Sequence, residues 1–410
     1  MPNIQQEIRQ AFGGEVYDCQ VVSAPGRVNL IGEHIDYHGL AVLPIALRQS
    51  VRVAYSPRVD RQIRATSAGG YGVREFEWTD RLVPVAVGDW ENYLRAAAQA
   101  VSGKWGIGVG VDATITSDVP PAAGLSSSSS ALIVAFSLSL LRANHHHARF
   151  DELIEILPEG EQFVGTRGGG MDHAASLASQ RGCASLIGFD PLSVRPITIP
   201  EGWCFLIAHS LQTAEKSAGV LEEYNARRRD GAAALQHLGF RSYRTMIEGR
   251  TAEELVTMAG KLDPGPERDS FLHVTGEALR VKAAVSAMER NDPFEFGRVL
   301  VESHASLRDR LKVSCPALDR VVEIAMECGA LGARLTGAGF GGCAVVLSRE
   351  PDVSAVRRGL LDRFYGSHRD FDEPRHLIQA QPGPGALRLQ EGRAATQASE
   401  SIRRGFVPPT

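Results

Sequence analysis

Apolar positions between residues 18 and 57 recur in short runs broken by turn residues, the pattern of paired strands. The segment DCQVVSAPGRVNLIGEH predicts a strand, a turn at Pro25-Gly26 and a second apolar run. LAVLPIALRQSVRVAYS predicts two further strands, and IRATSAGGYGVREFEW a hairpin around Gly69, Gly70 and Gly72. The spacing then lengthens to that of a helix in WENYLRAAAQAVSGKWG, closed by a glycine. A strand, VGVDATITSDV, leads through the small-residue loop PPAAGLSSSSS into the apolar helix ALIVAFSLSLLRAN. A second helix (FDELIEILPEGEQFVG), the loop TRGGG and the apolar stretch MDHAASLAS follow.

A second unit opens near Gly202 with the strand WCFLIAH. Three long amphipathic helices come next: SAGVLEEYNARRRDGAAALQHL, DSFLHVTGEALRVKAAVSAMER and ALDRVVEIAMECG. The unit closes with GARLTG, the glycine run GAGFGG, CAVVLS, a helix DVSAVRRGLLDRFYG and a strand ALRLQ. Alternating strands and helices make this an α/β chain. A boundary near residue 200 separates residues 1–200 from 201–388, and the polar segment 389–410, ending in Pro-Pro-Thr, is expected to be a disordered tail.

Composition narrows the function. The 410 residues are 43% hydrophobic and 22% charged, enough to bury the cores of two or three domains. Lys and Arg total 44 against 48 Asp plus Glu, a formal charge of −4 that gives no bulk attraction to nucleic acid or an anionic membrane. No apolar run reaches membrane-spanning length, and the polar N-terminus MPNIQQEIRQAFGGEVYD is unlike a secretory leader. Cys19, Cys183, Cys204, Cys315, Cys328 and Cys343 lie far apart, as expected of reduced, buried thiols in a cytoplasmic protein.

Two glycine-rich loops invite a phosphate. No stretch fits the Walker-type P-loop. Gly337-Ala338-Gly339-Phe340-Gly341-Gly342 has the spacing of a dinucleotide fingerprint, but a strand-like CAVVL follows where that site needs a helix. The loop Pro120 to Ser128 is better suited. Its small residues let backbone amides approach an anion, and it opens a helix whose positive end faces the same place. A serine-rich helix cap with no ligand is the alternative. His145-His146-His147 reads as a solvated patch, and the spacing of His34 and His38 as part of a loop rather than a zinc site.

Four segments, in order, carry a family resemblance: Gly26-Arg27-Val28-Asn29-Leu30-Ile31-Gly32-Glu33-His34-Ile35-Asp36-Tyr37, Gly124 to Ser128, Gly168-Gly169-Gly170-Met171-Asp172, and Leu335 to Cys343. In these the chain resembles the GHMP small-molecule kinases and, within them, the galactokinase family, over roughly residues 18 to 388. It departs from the family's usual residues at Ile35, His38, Gly168, His173 and Ala338. The resemblance implies an α/β (α+β) two-domain fold, with an N-terminal ribosomal-protein-S5-like domain and a C-terminal ferredoxin-like domain. It implies a monomeric enzyme that uses ATP and Mg²⁺ to phosphorylate the C1 hydroxyl of galactose. N-acetylgalactosamine or another hexose as acceptor, or a sugar- and ATP-binding regulator without turnover, are the alternatives.

Residue roles follow from the same resemblance. Asp172 is the base or orienting group for the sugar hydroxyl, and Arg27 keeps it ionised and stabilises charge on the phosphoryl group. Glu33, His34, Asp36, Gly169 and Tyr224 are sugar-binding. Ala122, Ala123, Gly124, Leu125, Ser126, Ser127 and Ser128 hold the nucleotide, with Trp90 and Tyr93 at the adenine and Ser67 nearby. Ser128 and Glu161 are Mg²⁺ ligands. The glycine motif at 337–342 is expected to pack against the phosphate region.

Overall fold

A computed structural model describes residues 4–13, 18–119, 127–165, 169–212 and 218–389. The loop residues Ala122 to Ser126 and the expected tail beyond Leu389 lie outside this set, as do the side chains of Ser127, Ser128 and Glu161.

The runs between residues 20 and 57 form two long strands rather than four short ones. After a short helix α1 (Ile4–Phe12), β1 (Gln20–Asn29) carries Pro25 and Gly26 within it. In place of a turn, its pairing with β2 (Pro44–Pro57) shifts register between Pro25 and Arg27. Such a bulge accommodates a proline that has no amide to give the ladder. β3 (Gln62–Ser67) and β4 (Arg74–Glu77) form the expected hairpin. Helix α2 (Glu91–Trp105) stops at Gly106, whose φ of +82° suits glycine, and β5 (Val111–Ser117) returns parallel to β3. The sheet order is β1-β2-β5-β3-β4.

Helix α3 (Ser127–Ala143) packs on β1, β2 and α2. The second predicted helix stops early: α4 (Phe150–Ile156) gives way to a 3₁₀ segment over Leu157–Val164, where Pro158 removes an amide. Helix α5 (Met171–Ala178) and an antiparallel hairpin of β6 (Cys183–Phe189) and β7 (Leu192–Thr198) complete the first half.

The second half comprises β8 (Trp203–His209), α6 (Ala218–His237), α7 (Tyr243–Ile247), α8 (Ala252–Ala259), α9 (Pro266–Glu289), α10 (Pro293–Ser306) and α11 (Pro316–Glu327). β9 (Gly332–Thr336), β10 (Cys343–Arg349), α12 (Val353–Arg363), α13 (Glu373–His376) and β11 (Leu377–Gln379) follow. Its antiparallel sheet runs β11-β8-β10-β9, the strand order of a ferredoxin-like unit. Trp203, Phe205 and Ile207 of β8 point into one core, while Leu206 and Ala208 point into another. A sheet buried on both faces explains why WCFLIAH reads as an unbroken apolar run.

The first of those cores also takes in Val28, Leu30, Ile31, Ile35 and Val42, so the two halves share it. The segment ALRLQ is not a strand: Ala386–Leu389 form a helical turn, and Ala386 is buried against the N-terminal core. Leu377–Gln379 supply the fourth strand instead.

Candidate active site

Arg27 and Asp172 are 145 positions apart and meet in a buried ion pair. Arg27 lies on β1 beside the bulge, and Asp172 is the second residue of α5. The helix starts from Gly170 at φ +96°, a conformation open to glycine. Ser176 on α5 donates to the Pro25 carbonyl at 2.8 Å, which fastens the helix to the strand. Arg27 Nε then donates to Asp172 Oδ1 at 2.5 Å, with the two side chains 3% and 7% exposed. Burial opposes the guanidinium's charge, but Asp172, Glu33 and Asp36 outweigh it and hold Arg27 above its ordinary pKa. Asp172 Oδ2 is buried with no hydrogen-bond partner among the described residues. A carboxylate oxygen so placed is an acceptor waiting for a donor.

The turn after β1 carries the other acidic groups. Glu33 Oε1 accepts from the Gly337 amide at 2.6 Å and the Thr336 hydroxyl at 3.1 Å, and lies 3.2 Å from Arg334 Nη2. Its Oε2 accepts from Asn29 Nδ2 at 2.9 Å. Acceptor capacity toward a ligand is therefore left mainly on Oε2. Asp36 Oδ2 accepts from the Gly169 amide at 3.1 Å. That approach needs a glycine: a Cβ at Gly169 would stand 2.4 Å from the Asp36 carbonyl carbon. Burial first, then the negative charge of Asp172, raises the Asp36 pKa to about 6.

His34 adopts φ +59°, a conformation that costs a non-glycine residue about 1–3 kcal/mol. Its Nε2 faces the Ala338 carbonyl at 3.1 Å and so donates, which leaves Nδ1 to accept from Tyr37 Oη at 2.8 Å. Both ring nitrogens are engaged, so His34 braces the turn after β1. Burial lowers its pKa, consistent with this neutral form. Tyr224, from α6, lies over the same turn, its ring centroid 5.4 Å from His34 and 6.0 Å from Tyr37. Tyr37 was part of the motif in the sequence but had no role assigned there.

The glycine motif at 337–342 lies against the turn after β1, and the loop expected to hold phosphate is outside the described residues. Its contacts include Glu33 and His34, so it supports that turn, and it also bonds to Val313, Ser210 and Gln212. Its neighbours Arg334 and Thr336 do the same; Thr336 belongs to the Leu335 to Cys343 motif, whereas an arginine inside an apolar strand carries no motif of its own.

Of the residues expected at the nucleotide, the side chains of Ser67, Trp90 and Tyr93 are described. Ser67 ends β3 and its hydroxyl accepts from the Gly69 amide at 3.3 Å. Trp90 donates from Nε1 to the Tyr71 carbonyl at 3.1 Å, and the Arg74 guanidinium stands 5.8 Å from its ring. Trp90 and Tyr93 pack on the N-terminal core at the start of α2, which in turn packs on the 3₁₀ segment holding Glu161. His173 is fully buried and burial lowers its pKa to about 3, so it stays neutral. His145 and His147 are exposed. Among the described residues, no group of three or more His, Cys, Asp or Glu side chains is placed to hold a metal, and no helix is long and apolar enough to cross a membrane.

Comparison with known proteins places this fold and site. Family models of the N-terminal domain and the C-terminal region of GHMP kinases match residues 92–180 and 284–366, so the chain is a GHMP-class small-molecule kinase. A model described as the galactokinase galactose-binding signature matches residues 7–57, the stretch that contains Arg27, Glu33, His34 and Asp36. The galactokinase of Roseiflexus sp. (strain RS-1) is 34% identical over 377 residues, covering 88% of this chain and 91% of the relative. That of Actinobacillus pleuropneumoniae is 32% identical over 369 residues, covering 89% and 94%. The crystal structure of Lactococcus lactis galactokinase complexed with galactose superposes with a TM-score of 0.82 at 25% identity, covering 93% of this chain and 98% of that one. The chain belongs to the galactokinase family.

Proposed function

We propose that this chain transfers the γ-phosphoryl group of ATP to the anomeric C1 hydroxyl of galactose, giving α-D-galactose 1-phosphate. The observation that carries the reading is the buried Arg27–Asp172 pair with Asp172 Oδ2 left unpartnered. Oδ2 accepts the hydrogen bond of the C1 hydroxyl, aligns its oxygen toward phosphorus and takes its proton as the new bond forms. Arg27 fixes the other carboxylate oxygen and sets a positive charge beside the transferring group. Asp36 and the remaining lone pairs of Glu33 accept from ring hydroxyls, and Tyr224 with the Gly169 backbone bounds the pocket. A pocket built to pair hydroxyls rejects analogues that lack them.

The nucleotide reading rests on residues 122–128 and on α3, which packs against both β1 and α5, the elements carrying Arg27 and Asp172. Trp90, Tyr93 and Ser67 serve the adenosine side. Mg²⁺ prefers oxygen ligands, and Ser128 and Glu161 would supply them. They sit on α3 and the 3₁₀ segment, which pack together. When bound, the ion neutralises phosphate charge. Six free thiols fit a reducing, cytoplasmic setting.

A sugar panel with purified protein, read as ADP release, tests the assignment. Galactose is expected to give the highest kcat/KM, whereas a preference for a 2-acetamido sugar refutes galactose as the acceptor. Sugar and nucleotide binding without ADP release refutes turnover itself. Asp172→Asn is expected to lower kcat by roughly 100-fold or more with little change in galactose KM. Near-wild-type turnover removes Asp172 from the mechanism.

A further inference from the structure

The turn that bears Glu33 is held from behind by a helix of the other half of the chain. Glu277, on α9, is fully buried, and its Oε1 accepts from the Gly32 amide at 3.0 Å and the Ser303 hydroxyl at 2.7 Å. Its Oε2 accepts from Arg280 Nε at 2.8 Å. One helical turn earlier, His273 Nε2 donates to the Glu33 carbonyl at 3.0 Å, and its Nδ1 accepts from Ser306 Oγ at 2.9 Å. Residues four apart lie on one helix face, so this face takes the amide of Gly32 and the carbonyl of Glu33 together.

We propose that Glu277 is a positioning residue of the sugar site, holding the Gly32–Glu33 turn so that Glu33 and Asp36 meet the acceptor hydroxyls. The proposal rests on the galactokinase reading and adds to it a residue that never touches the sugar. Gly32 has φ +105°, and a Cβ there would stand 3.0 Å from Val42 Cα, so the turn is too tight to be fixed by a side chain of its own. Its backbone amide is available, and Glu277 takes it. A buried carboxylate is a poor choice for packing alone, since an apolar residue of like volume fills the same space without the desolvation cost. Burial acts to raise the Glu277 pKa, but Arg280 and the other nearby charges bring it down to about 2, so the carboxylate stays charged across the working range.

The role separates from plain structural support by its kinetic signature. Glu277→Gln keeps the shape but points an N–H toward Arg280, so the carboxamide must give up part of its grip on Gly32 or on Arg280. Misplacing Glu33 weakens sugar binding in ground and transition states alike, which raises KM and spares kcat. The expected result is a rise of roughly fivefold or more in galactose KM, with ATP KM within about twofold of wild type. A merely destabilised variant has fewer active molecules, so its apparent kcat falls and both KM values stay put. That outcome overturns the proposal, and so does an equal rise in both KM values.

Should Glu277→Gln fail to fold, Ser303→Ala removes one hydrogen bond to the same oxygen and leaves the charge. A galactose KM raised by roughly twofold or more is then expected, and an unchanged one overturns the proposal. The comparison is made on the sugar that the wild type phosphorylates fastest. A wild type that ignores galactose therefore refutes the substrate assignment and leaves the test of Glu277 intact.

Discussion

Asp36 bears a conflict between stability and function that can be measured. Its carboxylate is partly buried beside Asp172 and Glu33, and its pKa rises from the ordinary 3.8 to about 6, through burial first and Asp172 second. Because the folded-state value lies above the unfolded one, the folded state binds this proton more tightly. The resulting stabilisation is present below about pH 4 and is lost as the pH rises through about 6. At 1.36 kcal/mol per pKa unit, the ionised group costs the fold at most about 3 kcal/mol at pH 8. Residual solvent exposure lowers this to about 1–2 kcal/mol. Asp36→Asn removes the cost while its carbonyl oxygen still accepts from Gly169. Urea denaturation should find the variant more stable than wild type by that amount at pH 8 and no more stable at pH 4. The same variant should have a higher galactose KM at pH 8, since one of its two terminal atoms no longer accepts. In wild type, galactose KM should rise as the pH falls below about 6, and the variant should lose that rise. A stability difference that does not change between pH 4 and pH 8 refutes the reasoning.

Two further outcomes follow from the geometry. Gly169→Ala forces a methyl to 2.4 Å from the Asp36 carbonyl carbon, so the loop must back away from the sugar turn. A loss of at least roughly tenfold in galactose kcat/KM is expected, checked by steady-state kinetics, and a variant with unaltered kinetics refutes the contact. Removing Mg²⁺ with a chelator should abolish ADP release and spare galactose binding measured by calorimetry without nucleotide. Retained turnover in the chelated enzyme refutes the role given to Ser128 and Glu161.

The sugar-signature turn was legible in the sequence because its chemistry is contiguous: Arg27, Glu33, His34 and Asp36 lie within ten residues, at the end of one strand and in the turn after it. Glycines clustered before Asp172 mark tight turning, as at Gly170 with φ +96°, or something that approaches closely. Gly169 shows what that is, a backbone contact with Asp36. What holds these pieces was not legible. Arg334, His273 and Glu277 lie some 240 to 310 positions away and sit inside apolar patterns, where a single polar residue is invisible to periodicity. The Pro25-Gly26 turn was misread because proline and glycine mark bulges as well as turns, and only the pairing partner decides between them. ALRLQ was misread because five alternating residues cannot tell a strand from a buried helical turn.

The charge balance of the site says which half of the reaction each part serves. Glu33, Asp36 and Asp172 lie close to Arg27, and Glu33 also to Arg334; burial first, and then this crowding of carboxylates, raises the Asp36 pKa. Such a cluster suits a neutral ligand rich in hydroxyl donors and repels a polyphosphate. A nucleotide can therefore present only its terminal phosphoryl here, and the rest of its charge has to be met elsewhere. The N-terminal end of α3 and the oxygen ligands of a divalent cation are suited to that task. In the proposed mechanism Arg27 serves both sides: its pairing with Asp172 holds the sugar's acceptor oxygen in place, and its charge meets the phosphoryl group as it arrives. Substituting Arg27 should therefore harm both substrates, whereas Glu33 and Asp36 should affect the sugar alone.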